Sequence, residues 1–332
     1  MKRDSQVVVI TGASAGIGRA TANAFAERGA KLGLLARGEA GLAGAVRDVE
    51  RAGGTALAMQ ADVADPEAVE RAAARVEAEL GPIDIWINNA MVSVFSPVEQ
   101  MRPDEFRRVT EVTYLGVVHG TLAALKRMAA RKRGTIVQVG SALAYRSIPL
   151  QSAYCAAKHA IVGFTDSLRS ELLHDKSPIL LTMVHPPASN TPQFQWVKTR
   201  LPKAPQPVPP LYAPEVTARA IVWAVDHHRR ELWIGAPTYG AIVGQKLAPA
   251  LLDHYLGAKG YEAQQIEGSP PQRDNLWAPV DDTRDFGAAG AFGDKARQHS
   301  LALWATEYRS WVALAGTLVV AGAIAVLAGA RK

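Results

Sequence analysis

The sequence predicts an α/β protein whose mostly parallel sheet carries helices on both faces, and three observations predict it. Short apolar runs alternate with longer helical patterns from residue 7 to about residue 235. The first apolar run leads directly into a glycine-rich loop and an alanine-rich helix, the order that cradles a phosphate. Ser141 follows another apolar run, and thirteen residues later comes Tyr154, four residues before Lys158.

Taken in order, Val7 to Thr11 is the first strand. It ends at Gly12-Ala13-Ser14-Ala15-Gly16-Ile17-Gly18, and a helix from about Arg19 to Arg28 follows. Glycines let a backbone approach a pyrophosphate, and a helix N-terminus offers free N–H groups with a partial positive charge. The spacing is Gly-x-x-x-Gly-x-Gly rather than the general Gly-x-Gly-x-x-Gly. Leu32 to Ala36 is the second strand, and Arg37 follows it. An acid near this strand end grips a ribose 2′-hydroxyl, whereas an arginine accommodates a 2′-phosphate. Ala36-Arg37 supplies no acid and one guanidinium, which argues for NADP(H).

Thr55 to Gln60 is a strand closed by Asp62-Val63. Pro66 to Leu80 is a helix with proline in its first turn. Ile83 to Ile87 is a strand leading into Asn88-Asn89-Ala90, and Asp104 to Ala130 reads as one long helix. Ile136 to Val139 is a strand, Ser152 to His174 a helix and Ile179 to Val184 a strand. Six prolines punctuate residues 202 to 214, which suggests an extended cover. Glu215 to His227 is a helix, Leu232 to Ile234 a last strand, and Ala241 to Leu256 an amphipathic helix.

Composition narrows the function. The 332 residues carry a formal charge of +6, mild for the length, and no dense basic tract with interleaved aromatics points to nucleic acid. One cysteine, Cys155, excludes an intramolecular disulfide and suggests a reducing compartment. No Cys/His cluster suggests a metal. Tyr154 and Lys158 at i, i+4 share a helix face. An ammonium beside a phenol favours the phenolate, so the pair is suited to passing a proton to or from a substrate oxygen.

The set Thr11-Gly12-x-x-x-Gly16-x-Gly18, Asn88-Asn89-Ala90, Ser141 and Tyr154-x-x-x-Lys158 resembles, in order and spacing, the short-chain dehydrogenases/reductases over residues 5 to about 235. The resemblance implies a Rossmann-like, doubly wound sheet of about seven strands and a nicotinamide cofactor. It implies that Gly12, Ser14, Gly16, Ile17 and Gly18 hold the pyrophosphate end. It also implies that Asp62 and Val63 contact the adenine and that Asn89 lies beside the adenosine ribose. Tyr154 would be the acid/base, Lys158 would hold the nicotinamide ribose, Ser141 would bind the substrate oxygen, and a backbone N–H at Ser189 would hold the carboxamide. Three positions depart from the family pattern. Met91 replaces a glycine, Thr113 stands where an asparagine completes a proton relay, and Pro187 occupies a usual Pro-Gly. A threonine hydroxyl can donate and accept, so a relay through Thr113 and water is conceivable on residue type.

Residues 1–260 are thus expected to form the catalytic domain and residues 261–302 a disordered linker, rich in Pro, Gly and charge. Residues 303–332 hold a hydrophobic helix. Trp311 to Ala330 contains no charge and matches the hydrocarbon thickness of a bilayer, with Trp311 and Arg331-Lys332 at its ends. It is expected to be a membrane anchor for a cytoplasmic catalytic domain. The expected activity is NADP(H)-dependent interconversion of an alcohol and a ketone or aldehyde, with a lipophilic substrate suggested by the tail. Self-association is expected through helices 104–130 and 152–174. Two rivals share the pattern: a cofactor-binding regulatory or scaffold protein with little turnover, and an epimerase or dehydratase.

Overall fold

A strand buried on both faces must be mostly apolar and must satisfy any polar group it carries, and the runs noted above are mostly apolar. The computed structural model describes residues 5–309. Seven strands form its main sheet: β1 Val7–Thr11, β2 Lys31–Ala36, β3 Thr55–Gln60, β4 Ile85–Asn88, β5 Thr135–Val139, β6 Leu180–His185 and β7 Glu231–Trp233. Every residue of β1, β4 and β5 is buried. The order across the sheet is β7-β6-β5-β4-β1-β2-β3, with all pairings parallel. This is the Rossmann-like doubly wound arrangement the sequence predicts. The order reverses between β1 and β4, and a crevice opens there at the carboxyl ends of the strands.

The helices are α1 Gly16–Ala26, α2 Glu39–Arg51, α3 Pro66–Glu79, α4 Pro103–Thr110, α5 Gly116–Arg131, α6 Ser152–His174, α7 Pro214–His227, α8 Ala236–Leu247, α9 Pro249–Lys259 and α10 Leu301–Glu307. One core lies under α1, α2 and α7, around Phe25, Leu42 and Ile221. The other lies under α3, α4, α5 and α6, around Val76, Val109 and Leu168. Between β4, β5 and α5 the core admits one polar cluster. The Asn88 amide, fully buried, accepts from Trp86 Nε1 at 2.8 Å and donates to Thr121 and Gln138 at 3.0 and 2.9 Å. Every polar atom in that exchange has a partner, which is the condition for burying it.

Several boundaries differ from expectation for local reasons. Helix α1 begins at Gly16, so the last glycines of the loop are its first turn. The long helix over 104–130 contains a π turn at Glu111–Leu115, which separates α4 from α5. The helix over 241–256 is two helices, α8 and α9, parted at Ala248. Pro249 lacks an N–H and disfavours helical backbone in the residue before it.

Residues 261–302 differ most, because the structure lays this expected linker on the domain as an ordered strap. Gln265–Ile266 pairs antiparallel with Ala204–Pro205, and Ala296–Arg297 pairs with Leu211–Tyr212. Leu276 is fully buried in the second core. Arg19, only 2% exposed, pairs with Asp48 at 2.6 Å and with Asp285 of the strap at 3.1 Å. Helix α2 has no side-chain cap of its own, and the strap supplies one: Gly41 N–H donates to Asp281 O at 2.9 Å and Ala40 N–H to Asp282 O at 3.2 Å. The composition that suggests disorder is the composition that satisfies buried cations and open helix ends.

The uncharged run Trp311–Ala330 lies outside the described residues. Among the described residues no helix is long and apolar enough to cross a membrane.

Leu276→Ala should loosen the strap by roughly 2–5 kcal/mol, the range for truncating a buried leucine. Hydrogen exchange over residues 268–300 is expected to accelerate in this variant while β1 and β4 stay protected. Unchanged protection of the strap would show that Leu276 does not anchor it.

Candidate active site

The site is assembled from strand ends. At the crevice, Gly12 and Gly16 adopt φ of +67° and +59°, a region that glycine enters freely. A Cβ at Gly12 would lie 2.8 Å from the Ala90 Cα. One at Gly18 would collide with the Gly12 carbonyl and the Asn89 side chain. The loop is thus folded tightly against β4 and leaves a cradle over the start of α1. That helix has no side-chain cap and no acid in its first turn, so Ile17 and Gly18 begin a helix end suited to an anion. Gly16 N–H, by contrast, donates to the strap carbonyl of Gly287 at 3.2 Å. This cradle and the crevice beside it fit a dinucleotide.

Asn89 holds the cradle shut against β1: its amide donates to the Thr11 and Gly12 carbonyls at 3.0 and 3.2 Å. Thr11 Oγ1 returns the contact by accepting from Asn89 and Ala90 N–H. Asp62 lies at the end of β3, but Arg108 occupies its carboxylate in an ion pair. Val63 is buried beside it in the crevice wall. Arg37 is the larger surprise. Its guanidinium donates to three strap carbonyls, Asn275, Leu276 at 3.4 Å and Trp277 at 3.2 Å, and stands 4.0 Å from Asp62.

At the other end of the cleft, Ser141 ends β5 and Tyr154 and Lys158 project from the first turns of α6 into the same space. Ser141 Oγ accepts from Leu143 N–H at 3.1 Å, which leaves the hydroxyl hydrogen free to donate. Lys158 Nζ donates to the Val139 carbonyl at 2.7 Å and lies 5.6 Å from the centre of the Tyr154 ring. Burial in the cleft pushes Lys158 down to about 7. Burial likewise raises the Tyr154 phenol, an effect that the neighbouring Ser141 hydroxyl partly offsets. Burial is thus the dominant influence on both groups, opposing the charged form of each. Cys155, 1% exposed on the same helix, is raised too by burial.

Thr113 does not face the cleft as a relay. It is fully buried in the π turn, where its hydroxyl donates to Val92 O at 2.9 Å and accepts from Val92 N–H at 3.1 Å. Its one donor hydrogen and one of its two acceptor lone pairs are engaged. Ser189 lines the cleft, with its own hydroxyl turned back to Pro187 O at 3.2 Å. Met91 and Pro187 also line it.

Sequence reasoning missed His185, at the end of β6 behind Ser141. Its Nδ1 lies 3.3 Å from Ser141 N and 3.1 Å from Ser141 O, and burial lowers its pKa, so it is neutral. It also missed the contribution of the strap to the crevice, Asn275, Pro279, Val280 and Asp281. The cleft encloses about 430 Å³. Pro207–Pro210, Phe194, Trp196 and Leu256 give its far end an apolar lining, and the proline-rich segment covers it as expected.

This arrangement of sheet, glycine cradle and Ser141, Tyr154 and Lys158 defines an α/β protein of the nicotinamide-dependent type. The short chain dehydrogenase family model matches residues 6–201, and the chain belongs to that family. It is 35% identical over 268 residues to an uncharacterized oxidoreductase, YxnA, of Bacillus subtilis, covering 80% of this chain and 75% of that one. It is 39% identical over 183 residues to a putative oxidoreductase, SadH, of Mycobacterium tuberculosis, covering 55% and 66%. Among solved structures, an alcohol dehydrogenase of Thermococcus sibiricus complexed with 5-hydroxy-NADP superposes with a TM-score of 0.60 at 27% identity, covering 70% of this chain and 96% of that one. A Burkholderia phymatum family member in complex with NAD superposes at 0.65 and 23% identity, covering 77% and 96%, a likeness of fold alone.

The lowered Lys158 pKa has a stability consequence. Between about pH 7 and the ordinary lysine value of 10.5 the folded chain binds fewer protons at this site than the unfolded chain, so stability rises with pH across that window. Without cofactor, the urea midpoint should climb from about pH 7 to about pH 9.5 more steeply in the native chain than in Lys158→Met. Parallel pH profiles for the two would show that Lys158 is not desolvated as described.

Proposed function

We propose that the chain is a nicotinamide-dependent oxidoreductase that interconverts an alcohol and a ketone or aldehyde. The observation that carries this reading is the convergence of Ser141, Tyr154 and Lys158 on one cleft whose opposite end is the glycine cradle. The dinucleotide, when bound, supplies or accepts the hydride. Gly12, Ser14, Ile17 and Gly18 would hold its phosphate end, and Val63 and Asn89 the adenosine side. Tyr154, Lys158 and Ser189 would lie at the nicotinamide end.

The protein's own part is to bind and polarise the oxygen. The free hydrogen of the Ser141 hydroxyl donates to the substrate oxygen. Tyr154 donates a second hydrogen bond and, in the direction of reduction, gives up its proton there. Lys158 opposes the build-up of negative charge on the phenol when it is protonated. The apolar walls exclude water, which strengthens each of these interactions. They also favour a lipophilic carbonyl substrate.

The reading of NADP(H) rests on Arg37 as a partner for a 2′-phosphate. Arg37 already donates to three carbonyls, so a 2′-phosphate would have to replace them. A second reading, a cofactor-binding protein with little turnover, draws support from Thr113, whose only donor hydrogen is spent on Val92 O. Self-association through α5 and α6 would cover Leu122 and Leu173, exposed on those helices.

Tyr154→Phe separates the two readings. It is expected to lower kcat on a reduced carbonyl panel by at least about 10²-fold while dinucleotide binding persists. Near-native turnover in this variant would remove Tyr154 as the proton donor. An absence of turnover in the native chain across the panel would favour the binding protein.

A further inference from the structure

The end of β2 lacks an acid, yet a carboxylate stands beside it. It comes from Asp281, about 245 residues downstream on the strap. Asp281 is 8% exposed and lines the crevice together with Ser14 and Arg37. It packs so closely against Gly38 and Gly41, at the start of α2, that a Cβ on either glycine would collide with its carboxylate. A Cβ at Gly41 would also approach the Ser14 side chain to 2.9 Å, so the glycine cradle and the strap acid meet at this point. Its main chain fixes it there, through Gly41 N–H to Asp281 O, and Asp282 continues along the same helix end, with Glu39 N–H reaching Asp282 Oδ1 at 3.4 Å. Among the described residues no hydrogen bond or ion pair within 4.0 Å is made by the Asp281 carboxylate itself. Arg37, whose charge feels Asp281, points instead at the carbonyls of residues 275–277.

The Asp281 carboxylate oxygens thus have no protein partner among the described residues and stay accessible from the crevice, so a ligand donor can meet them. The donors that a dinucleotide presents near this strand end are the adenosine ribose hydroxyls. We infer that Asp281 is the specificity-determining acceptor for the ribose hydroxyls, and that the docked strap makes this chain select a dinucleotide without a 2′-phosphate, NAD(H). A 2′-phosphate would meet a fixed carboxylate of like charge and would also have to pull Arg37 off three carbonyls. Residue type at positions 36 and 37 points one way, and the folded strap reverses it. The inference rests on the dinucleotide reading given above and deepens it.

Direct titration of NADH and NADPH against the full chain, followed by tryptophan fluorescence and checked by thermal shift, tests it without any turnover. The native chain is expected to bind NADH at least about tenfold more tightly than NADPH, the factor one charge-assisted hydrogen bond supplies. Asp281→Ala should weaken NADH by about ten- to a hundredfold and tighten NADPH. Asp281→Asn, which still accepts from a hydroxyl but carries no charge, should keep NADH within a few-fold and tighten NADPH. Hydrogen exchange across residues 274–290 in each variant establishes that the strap remains docked. Tighter NADPH than NADH in the native chain, or an unchanged ratio in Asp281→Ala with the strap in place, would overturn the assignment to Asp281 alone. Binding of neither dinucleotide by the native chain would overturn the dinucleotide reading as well. If Asp281→Ala releases the strap, the Asp281→Asn ratio decides: an unchanged ratio overturns the assignment, and a shift toward NADPH supports it.

Discussion

A buried guanidinium must find acceptors for its N–H groups, and Arg19 finds them by drawing four segments together. It donates to Ser14 O in the glycine cradle, to Gly41 O and Asp48 of α2, and to Asp285 of the strap, while itself belonging to α1. With 2% of its side chain exposed, loss of any one of these would leave an uncompensated donor in the interior. The cradle, the second helix and the strap are therefore not independent parts. The shape of the crevice at its adenosine end follows from one cation's need for partners.

The opposite end is governed by the same physics with a different outcome. Lys158 has one strong partner, the Val139 carbonyl, and no carboxylate, so burial lowers its affinity for a proton. Tyr154 beside it holds its proton more tightly for the same reason. The pair is poised as a neutral donor and a partly charged neighbour, and further charge brought into the cleft acts on both with little water to screen it. His185, its pKa lowered by burial, backs Ser141 on the sheet side.

Much of the fold was legible because strands covered on both faces cannot hide their composition. The runs 7–10 and 32–36 carry no polar residue to blur them, and 135–139 only Thr135 and Gln138. Ser141, Tyr154 and Lys158 were legible because their geometry is local, a strand end and one helical turn. What escaped was set by distance along the chain. Arg37 was recognised by type, but its acceptors lie some 240 residues away. Thr113 was found by position, whereas its partner depends on a π turn that rotates the helix face by about 100°. The strap read as disordered because its polar residues are judged against water, and in the fold they are judged against buried cations and uncapped helix ends.

The burial of Cys155 bears on how such a chain can be handled at the bench. A thiol reacts as its thiolate, and this one is 1% exposed with its ionisation suppressed by the surrounding helix packing. It is also the sole cysteine in the sequence. Burial and suppressed ionisation both slow its reaction with maleimides and mild oxidants, which keeps background labelling low. A single cysteine placed on an exposed strap residue such as Trp277 or Asp282 becomes an unambiguous attachment point for a spin label or fluorophore.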